Sequence, residues 1–192
     1  MLLPGTQLTG TPVMGLQTGT RLAQTGAPLI DPSNLAIVAY EVEGPLLNTH
    51  PSYLRIADVR EIGNIGMIID SADEFIDLDD VVKIKKLHDL RFKLIGLPVI
   101  DQSKRRIGKV EDYSLDSDSF IIQQLHVKRG ILQGFTETTT LVNRSQIVEI
   151  NDEHIIVRTT AKKIEPVMEA TRREYVNPFR QSSPQPDATD AA

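Results

Sequence analysis

The sequence predicts a mostly β protein built from an internal repeat, and three observations lead to that prediction. Residues 29–44 (LIDPSNLAIVAYEVEG) and residues 114–130 (SLDSDSFIIQQLHVKRG) share one pattern, in which Asp31 matches Asp116, 85 positions later, without a gap. Short segments of mixed or alternating polarity, bounded by turn residues, recur along the chain, which is typical of strands. One stretch between the two copies has an approximately helical spacing of apolar residues. Such a chain should fold into two similar β units joined by a helix.

In the first copy, residues 1–12 are small and polar, and we expect a loop that runs into the first strand. The turn DPSN at 31–34 supplies proline and Asx residues where the chain must reverse, because proline presets φ and Asx side chains bond the local backbone. The strands on either side of this turn should therefore form a hairpin. The predicted strands of this copy are VMGLQ (13–17), TRLAQTGAPLI (20–30), LAIVAYEVE (35–43), YLRIADVREI (53–62) and GMIID (66–70).

The second copy repeats this order, with the turn DSDS at 116–119 between its two long strands. The closing hairpin also recurs, since Ile62 matches Ile150, now 88 positions later. The three additional residues belong to a loop between the two matched blocks. The predicted strands of this copy are LPVID (97–101), RRIGKVEDYSL (105–115), FIIQQLHVK (120–128), TTTLVNRSQIVEI (138–150) and HIIVRT (154–159).

Four matched pairs of apolar residues are predicted to face the interiors of the two units. The three-residue step from Ile122 to Leu125 breaks strict alternation, so we expect a bulge at Gln123 and Gln124. The pairs are Leu35 with Phe120, Ile37 with Ile122, Tyr40 with Leu125, and Val42 with Val127.

The segments around the two copies complete the predicted organisation. Apolar residues from Leu78 to Leu87 have approximately helical spacing, and Asp77 is placed to cap the start of a linking helix. Near the end of the chain, Pro166 suits the first turn of a short helix, and the polar residues that follow cannot repay the entropy of ordering. The predicted organisation is a first β unit at 13–71, a helical linker at 72–92, a second β unit at 93–160, a short helix at 161–176 and a disordered tail at 177–192.

The composition excludes several classes of site. The chain contains no cysteine, which excludes disulfides, thiolate catalysis and zinc sites built on cysteine. The net charge of −5 and the pI near 5.4 argue against direct nucleic-acid binding through bulk electrostatics, although a local basic patch remains open. The opening MLLPGTQLTG lacks the features of a signal peptide, and no apolar run has the length of a spanning helix. We expect a cytoplasmic protein without a membrane span.

The sequence contains no recognisable catalytic, cofactor or metal constellation. Asp31 and Asp116 occupy matched turn positions, which favours a role in backbone geometry over acid–base chemistry. The acidic run at 73–80 lacks the spacing of a calcium loop, and no G-x-S-x-G motif or phosphate-binding glycine loop occurs. We therefore predict a non-enzyme without cofactor. The histidines, which lack metal-ligand spacing, are His50, His88, His126 and His154.

Charge distinguishes the two copies. Residues 1–90 carry a net charge of −6 and residues 91–192 a net charge of +1. If the second hairpin turns between Ser117 and Asp118, Lys128 lies opposite Ile107 and Arg129 lies opposite Arg106. The cations Lys104, Arg105, Arg106, Lys128 and Arg129 would then share one end of the sheet.

Two interpretations of this cluster remain open. The matching end of the first copy carries Glu43, 85 positions before Lys128, and Glu41, 85 positions before His126. Either both ends are merely solvated, or the basic end binds an acidic protein partner or the acidic end of another copy of the chain. In the tail, the NPF motif at Asn177, Pro178 and Phe179 is either a docking peptide or a chance occurrence.

Several stretches of the second copy carry a resemblance to a known family. LIGLPVID (94–101), RIGKVEDYSLD (106–116), FIIQQLHV (120–127) and the closing LVNRSQIVEINDEHIIV (141–157) resemble the PRC-barrel. This small β-barrel occurs in the cytoplasmic part of the photosynthetic reaction centre H subunit and in a ribosome maturation factor. The resemblance covers residues 13–160.

The resemblance implies a fold and two candidate functions. It implies that each copy forms a small barrel, although the first copy has Ala23 where the second has Gly108, and an inserted GPLLNTHPSY loop at 44–53. It also implies an adaptor or scaffold that mediates protein–protein contact in a larger assembly. The alternative is a ribosome-assembly or RNA-processing accessory factor that docks on a ribosomal protein.

Overall fold

The computed structural model of the chain describes residues 1–45, 47, 50–129 and 139–158, which fall within one compact unit, Met1–Thr159. This described part is mostly β and contains a single α-helix, α1 (Val82–Leu90). The mostly β class is therefore confirmed, while the predicted short helix at 161–176 and tail at 177–192 lie outside the described residues. The strands are β1 (Leu2–Pro4), β2 (Pro12–Gly15), β3 (Arg21–Asp31), β4 (Ala36–Glu43), β5 (Ser52–Arg55), β6 (Glu61–Gly63), β7 (Gly66–Ile69), β8 (Phe75–Asp77), β9 (Pro98–Asp101), β10 (Arg106–Asp116), β11 (Ile122–Lys128), β12 (Thr139–Asn143), β13 (Ile147–Ile150) and β14 (Ile155–Val157).

The strands form two sheets with corresponding connectivity. The first sheet has the order β6-β7-β2-β3-β4-β5-β8, and the second has the order β13-β14-β9-β10-β11-β12, with β1 also paired to β10. One strand pair in each sheet is parallel, β2 with β7 and β9 with β14. Six strands of one sheet thus have a counterpart in the other, while β1 and β8 do not.

The aspartate at the start of each long hairpin turn binds a serine within that turn. Asp31 accepts hydrogen bonds from the backbone N–H (3.1 Å) and hydroxyl (2.6 Å) of Ser33. Asp116 accepts from the backbone N–H (3.2 Å) and hydroxyl (2.7 Å) of Ser119. Both aspartates therefore hold turn backbone, as their matched positions predict.

Each long hairpin also contains two bulges at matching positions. Gln123 on β11 is passed over by the pairing with β10, and the register shifts again at Glu111 on β10. The predicted bulge is confirmed at Gln123. The β3–β4 pair shifts register 85 positions earlier, at Val38 on β4 and around Gly26 on β3. Bulges bend and twist the bulged strand, so both hairpins bend at the same places.

The tips of the two hairpins pair with each other. The backbone N–H of Ile37 donates to the carbonyl of Phe120, and the N–H of Ile122 donates to the carbonyl of Leu35, both over 2.9 Å. The two bonds join matched residues of the two copies, since Ile37 and Ile122 are 85 positions apart, as are Leu35 and Phe120. Leu35 and Phe120 also both have φ of 53°. This inter-hairpin bridge joins the sheets at an approximate local two-fold axis.

One apolar core extends through both sheets. The eight residues predicted to face inward are buried, each at most 4% exposed, so that prediction is confirmed. The largest fully buried side chains of this core are Val13, Tyr40, Leu54, Met67 and Ile69 in the first sheet and Tyr113, Leu115, Ile122, Leu125 and Ile155 in the second.

The segment between the sheets differs from the predicted helix. The helix begins at Val82, and Asp77 is not its cap but the last residue of β8. Phe75 packs against the main core while Ile76 packs against the cluster around Ile84. These neighbours therefore face opposite sides of the sheet, which is strand periodicity.

Helix α1 lies on the outer face of the first sheet. Its Ile84 is 1% exposed and packs with Ala39 and Tyr53, and the Tyr53 hydroxyl hydrogen-bonds His88 Nδ1 over 2.6 Å. No helix in the described part of the chain is both long and apolar enough to cross a bilayer.

Residues 1–12 were predicted as a loop into the first strand, and this was wrong for residues 2–8. Strand β1 pairs with β10 of the second sheet, with Leu3 opposite Leu115. A tight helical turn follows at Gly5–Leu8. Gly5 lies against Tyr113, and a Cβ there would lie 2.2 Å from the ring. Leu3 and Gly5 allow the N-terminal segment to cover Leu115 and Tyr113 of the core. The local sequence pattern of residues 1–12 does not indicate this contact.

Two tyrosines offer a test of hydrogen bonding in the core. Tyr40 is fully buried, burial raises the pKa of its hydroxyl, and that oxygen has no hydrogen-bond partner among the described residues. Tyr40→Phe should therefore leave the free energy of unfolding unchanged or raise it, whereas Tyr53→Phe should lower it by about 1 kcal/mol because His88 loses its partner. Urea denaturation of both variants measures the difference. A large loss of stability in Tyr40→Phe without one in Tyr53→Phe would contradict the assignment of the hydrogen-bonded hydroxyl to Tyr53 and the unpaired one to Tyr40.

Candidate interaction surface

Six cations lie at one end of the second sheet, in the β9–β10 turn, at the start of β10 and at the end of β11. We call them the basic surface. Five were predicted from the sequence, and the structure adds Lys109. The members are Lys104, Arg105, Arg106, Lys109, Lys128 and Arg129.

A nearly buried carboxylate shapes the turn that presents three of these cations. Asp101 is 5% exposed, and its Oδ1 accepts the backbone N–H groups of Ser103 (2.8 Å) and Arg105 (2.9 Å). Lys104 adopts a left-handed φ of 61° within this turn. The hydrogen bond from the Arg105 backbone and the nearby guanidinium hold the pKa of Asp101 below its ordinary value. The turn is thus fixed by an ionised aspartate.

The three cations of this turn differ in whether they form an ion pair within the fold. Arg105 donates from Nε to Asp101 Oδ2 over 2.8 Å, so it balances the charge of that carboxylate. Lys104 and Arg106 are exposed and take part in none of the ion pairs found among the described residues. They are therefore the cations of the turn that a partner can meet without disturbing the turn.

The predicted pairing of the two strands is wrong by two residues. Lys128 lies opposite Lys109 and not opposite Ile107. The predicted pairing of Arg129 with Arg106 fails for the same reason. The predicted cations remain at one end of the sheet, but Lys128 lies further along it than predicted, since it is opposite Lys109, three residues or about 10 Å beyond Arg106.

The error comes from the position of the turn. Leu115 pairs with Ile122, which centres the hairpin between Asp118 and Ser119, one residue later than predicted. A shift of one residue in the centre of a hairpin changes every pairing by two. The two bulges, one on each strand, offset each other and add no further shift.

Lys109 is the residue that sequence reasoning missed. Its neighbour Val110 is buried while Lys109 is exposed, so alternation along β10 could have placed it outward once the turn was known. Like charges directly opposite each other destabilise a sheet, and Lys128 Nζ contacts Glu111 Oε1 over 3.2 Å. One carboxylate thus relieves a repulsion that the fold maintains at this surface.

The matching end of the first sheet has a different charge. Glu43 pairs with Gln24 where the second sheet pairs Lys128 with Lys109. Arg21, 85 positions before Arg106, is the one exposed cation among the described residues of that end, and it hydrogen-bonds Gln24. The predicted contrast between the two ends therefore holds in the folded chain at the Glu43 position.

The other two residues of that comparison lie further along their strands. Glu41 pairs with Tyr53, and His126 pairs with Leu141 and hydrogen-bonds the Ser114 hydroxyl over 2.9 Å. Neither belongs to the end of its sheet.

The two ends point away from the centre of the chain. Strands β4 and β11 start at the inter-hairpin bridge, where they are antiparallel, so they leave it in opposite directions. Each strand reaches at most about 25 Å from the bridge. The basic surface and the Glu43 end are therefore separate surfaces.

The remaining sequence candidates do not join this site. The described residues contain no group of three or more histidine, aspartate or glutamate side chains placed to hold a metal ion. The NPF motif at Asn177, Pro178 and Phe179 lies outside the described residues. No model of a protein family matches the chain, and no curated protein has a significant sequence match to it.

Proposed function

We propose that the chain is a cytoplasmic, non-enzymatic adaptor of the PRC-barrel type, in which each copy forms a small barrel and the basic surface binds an acidic protein partner. The corresponding strand orders and the paired bulges 85 positions apart support a duplicated scaffold. Two of the side chains considered for chemistry, Asp31 and Asp116, are engaged in turns. Their engagement favours a structural use of these groups.

The observation that carries the proposal is the concentration of six cations at one end of the second sheet, in a chain whose net charge is −5. A single exposed ion pair contributes only about 0 to 1 kcal/mol. Several cations on one surface nevertheless create a field that orients an acidic partner and accelerates association. Lys109 lies opposite Lys128, a like-charge pairing that Glu111 relieves within the fold and that the carboxylates of an acidic partner would relieve further.

The test compares charge variants in a pull-down from a lysate of the organism that encodes the chain. Lys104→Glu, Arg106→Glu and Arg129→Glu, combined in one variant, should abolish or strongly reduce recovery of the partner at low salt. These cations are exposed, and leaving Arg105 in place keeps Asp101 paired. Quantitative mass spectrometry of the eluates measures recovery.

The matched control reverses three exposed cations elsewhere, with Lys86→Glu, Arg91→Glu and Lys93→Glu in α1 and the segment after it. It has the same net charge as the test variant and should recover the partner as the wild-type chain does. Equal loss in both variants would indicate a nonspecific charge effect and would refute the basic surface as the binding site.

A further inference from the structure

The two sheets differ at one edge. Strand β5 of the first sheet pairs with β4 on one side and with β8 on the other. Its counterpart β12 pairs with β11, and no other described strand pairs with it. Among the described residues, the second sheet therefore presents an edge whose counterpart in the first sheet is covered by β8.

The covered edge is a template for the open one. Strand β8 runs antiparallel to β5, with Phe75 opposite Leu54 and Ile76 opposite Tyr53. Tyr53 pairs with Glu41 on β4, and Leu141 pairs with His126 on β11, 85 positions later. Leu141 therefore occupies in the second sheet the position of Tyr53 in the first.

The exposure of these two residues is very different. Tyr53 is 3% exposed beneath Ile76 and Ile84, whereas Leu141 is 56% exposed. Strand β12, with the sequence TTLVN, contains no charged residue and no proline, which are the usual means of blocking a sheet edge. An apolar side chain and free strand edge thus coincide among the described residues.

The positive charge next to β12 is opposite in sign to the charge of the residues at the end of β8 and after it. Strand β8 ends in Asp77, and Asp79 and Asp80 follow it. In the second sheet, Thr139 at the start of β12 pairs with Lys128, which pairs with Lys109. A segment that ran antiparallel to β12, as β8 does on β5, would pass Leu141 first and then reach the basic surface.

We propose that β12 binds an extended acidic segment of a partner protein as an added antiparallel strand. An apolar residue of the segment covers Leu141, and carboxylates a few residues later meet Lys128, which lies on the strand next to β12. Strand addition supplies affinity through main-chain hydrogen bonds and specificity through alternate side chains. This inference rests on the proposed function, because it assigns a partner chemistry to the basic surface.

The probe is a fluorescein-labelled synthetic peptide with the sequence of residues 72–81, ADEFIDLDDV, titrated with the full chain and followed by fluorescence anisotropy. We expect saturable binding. Leu141→Asn should weaken it about tenfold, and Val148→Asn, at a residue exposed to a similar degree, should leave it unchanged. A peptide with alternate backbone nitrogens methylated should not bind, because it cannot pair with a strand edge.

Several outcomes would overturn the inference. These are absence of binding to the full chain, equal binding of the methylated peptide, or equal binding by Leu141→Asn. A concentration-dependent dimer, measured by light scattering and abolished by Leu141→Asn, would show that a second copy occupies the edge and would also overturn it.

The failures of the two proposals are distinguishable. If charge reversal removes the pull-down partner but the peptide does not bind, the edge inference fails and the proposed function stands. If the peptide binds through Leu141 while charge reversal leaves both peptide and partner binding unchanged, the assignment of function to the basic surface fails.

Discussion

Ile122→Ala is expected to lower the free energy of unfolding by about 2 to 5 kcal/mol, the usual cost of removing most of a buried aliphatic side chain. Ile122 is fully buried at the inter-hairpin bridge. Its counterpart Ile37 is 2% exposed, and Ile37→Ala should cost a similar amount. Chemical denaturation followed by far-ultraviolet circular dichroism measures both changes.

The same variants test whether the sheets unfold together. Because core residues of both sheets belong to one apolar cluster, each variant should unfold in a single transition displaced from that of the wild-type chain. Val148→Ala, at a residue 48% exposed, is the control and should change stability by less than about 0.5 kcal/mol. Two separate transitions, of which Ile122→Ala moved only one, would contradict a shared core.

Gly66→Ala is expected to lower the free energy of unfolding by about 3 kcal/mol or more, because it combines backbone strain with a steric conflict. Gly66 has φ of +130°, a conformation that L side chains rarely adopt. A Cβ at this position would lie 2.1 Å from the carbonyl oxygen of Pro12 on β2. Strands β2 and β7 would have to separate, and thermal unfolding should show the loss directly.

Gly63→Ala is the matched control, because Gly63 faces Gly66 in the β6–β7 pair. A Cβ at Gly63 would meet no atom within 4 Å, and its φ lies outside the left-handed range. This substitution should change stability by no more than about 1 kcal/mol, since alanine has less backbone entropy to lose than glycine. Equal destabilisation by the two alanine variants would show that general loss of glycine, and not the close approach to Pro12, is responsible.

The features predicted from sequence are those that local spacing determines. Apolar alternation places Ile37 and Ile122 inward, and the three-residue step before Leu125 reveals the bulge at Gln123. The aspartates at the start of the two turns bond the turn backbone in the way their side chains permit. These features need no knowledge of distant contacts.

Long-range pairing explains what local spacing could not predict. The pairing of β1 with β10 depends on a contact between Leu3 and Leu115, more than 100 positions apart. The second turn, whose centre sets the place of Lys109, includes Phe120 with a left-handed φ of 53°, which apolar spacing does not indicate. Short apolar segments such as Phe75–Asp77 satisfy either periodicity, so strand and helix cannot be separated there by pattern alone.

A difference between the copies that looks like a departure in sequence is compensated in the structure. Gly108 lies so close to Lys128 that a Cβ would be 2.4 Å from its carbonyl oxygen. The first sheet has Ala23 at the position of Gly108. There the glycine is on the opposing side of the hairpin, where a Cβ at Gly44 would be 2.9 Å from the Ala23 Cα. Each hairpin thus keeps one glycine at its close approach, on the first strand in one hairpin and after the second strand in the other.

The most direct test of the adaptor proposal is the association rate constant of the captured partner, measured by stopped flow at low salt and at about 0.5 M salt, where screening shortens the reach of charges to a few ångströms. The wild-type chain and the Lys86, Arg91 and Lys93 control should associate rapidly at low salt and more slowly at high salt. The Lys104, Arg106 and Arg129 variant should associate slowly at low salt, with a smaller dependence on salt. Equal association rates for that variant and the wild-type chain at low salt would contradict the assignment of partner binding to the basic surface.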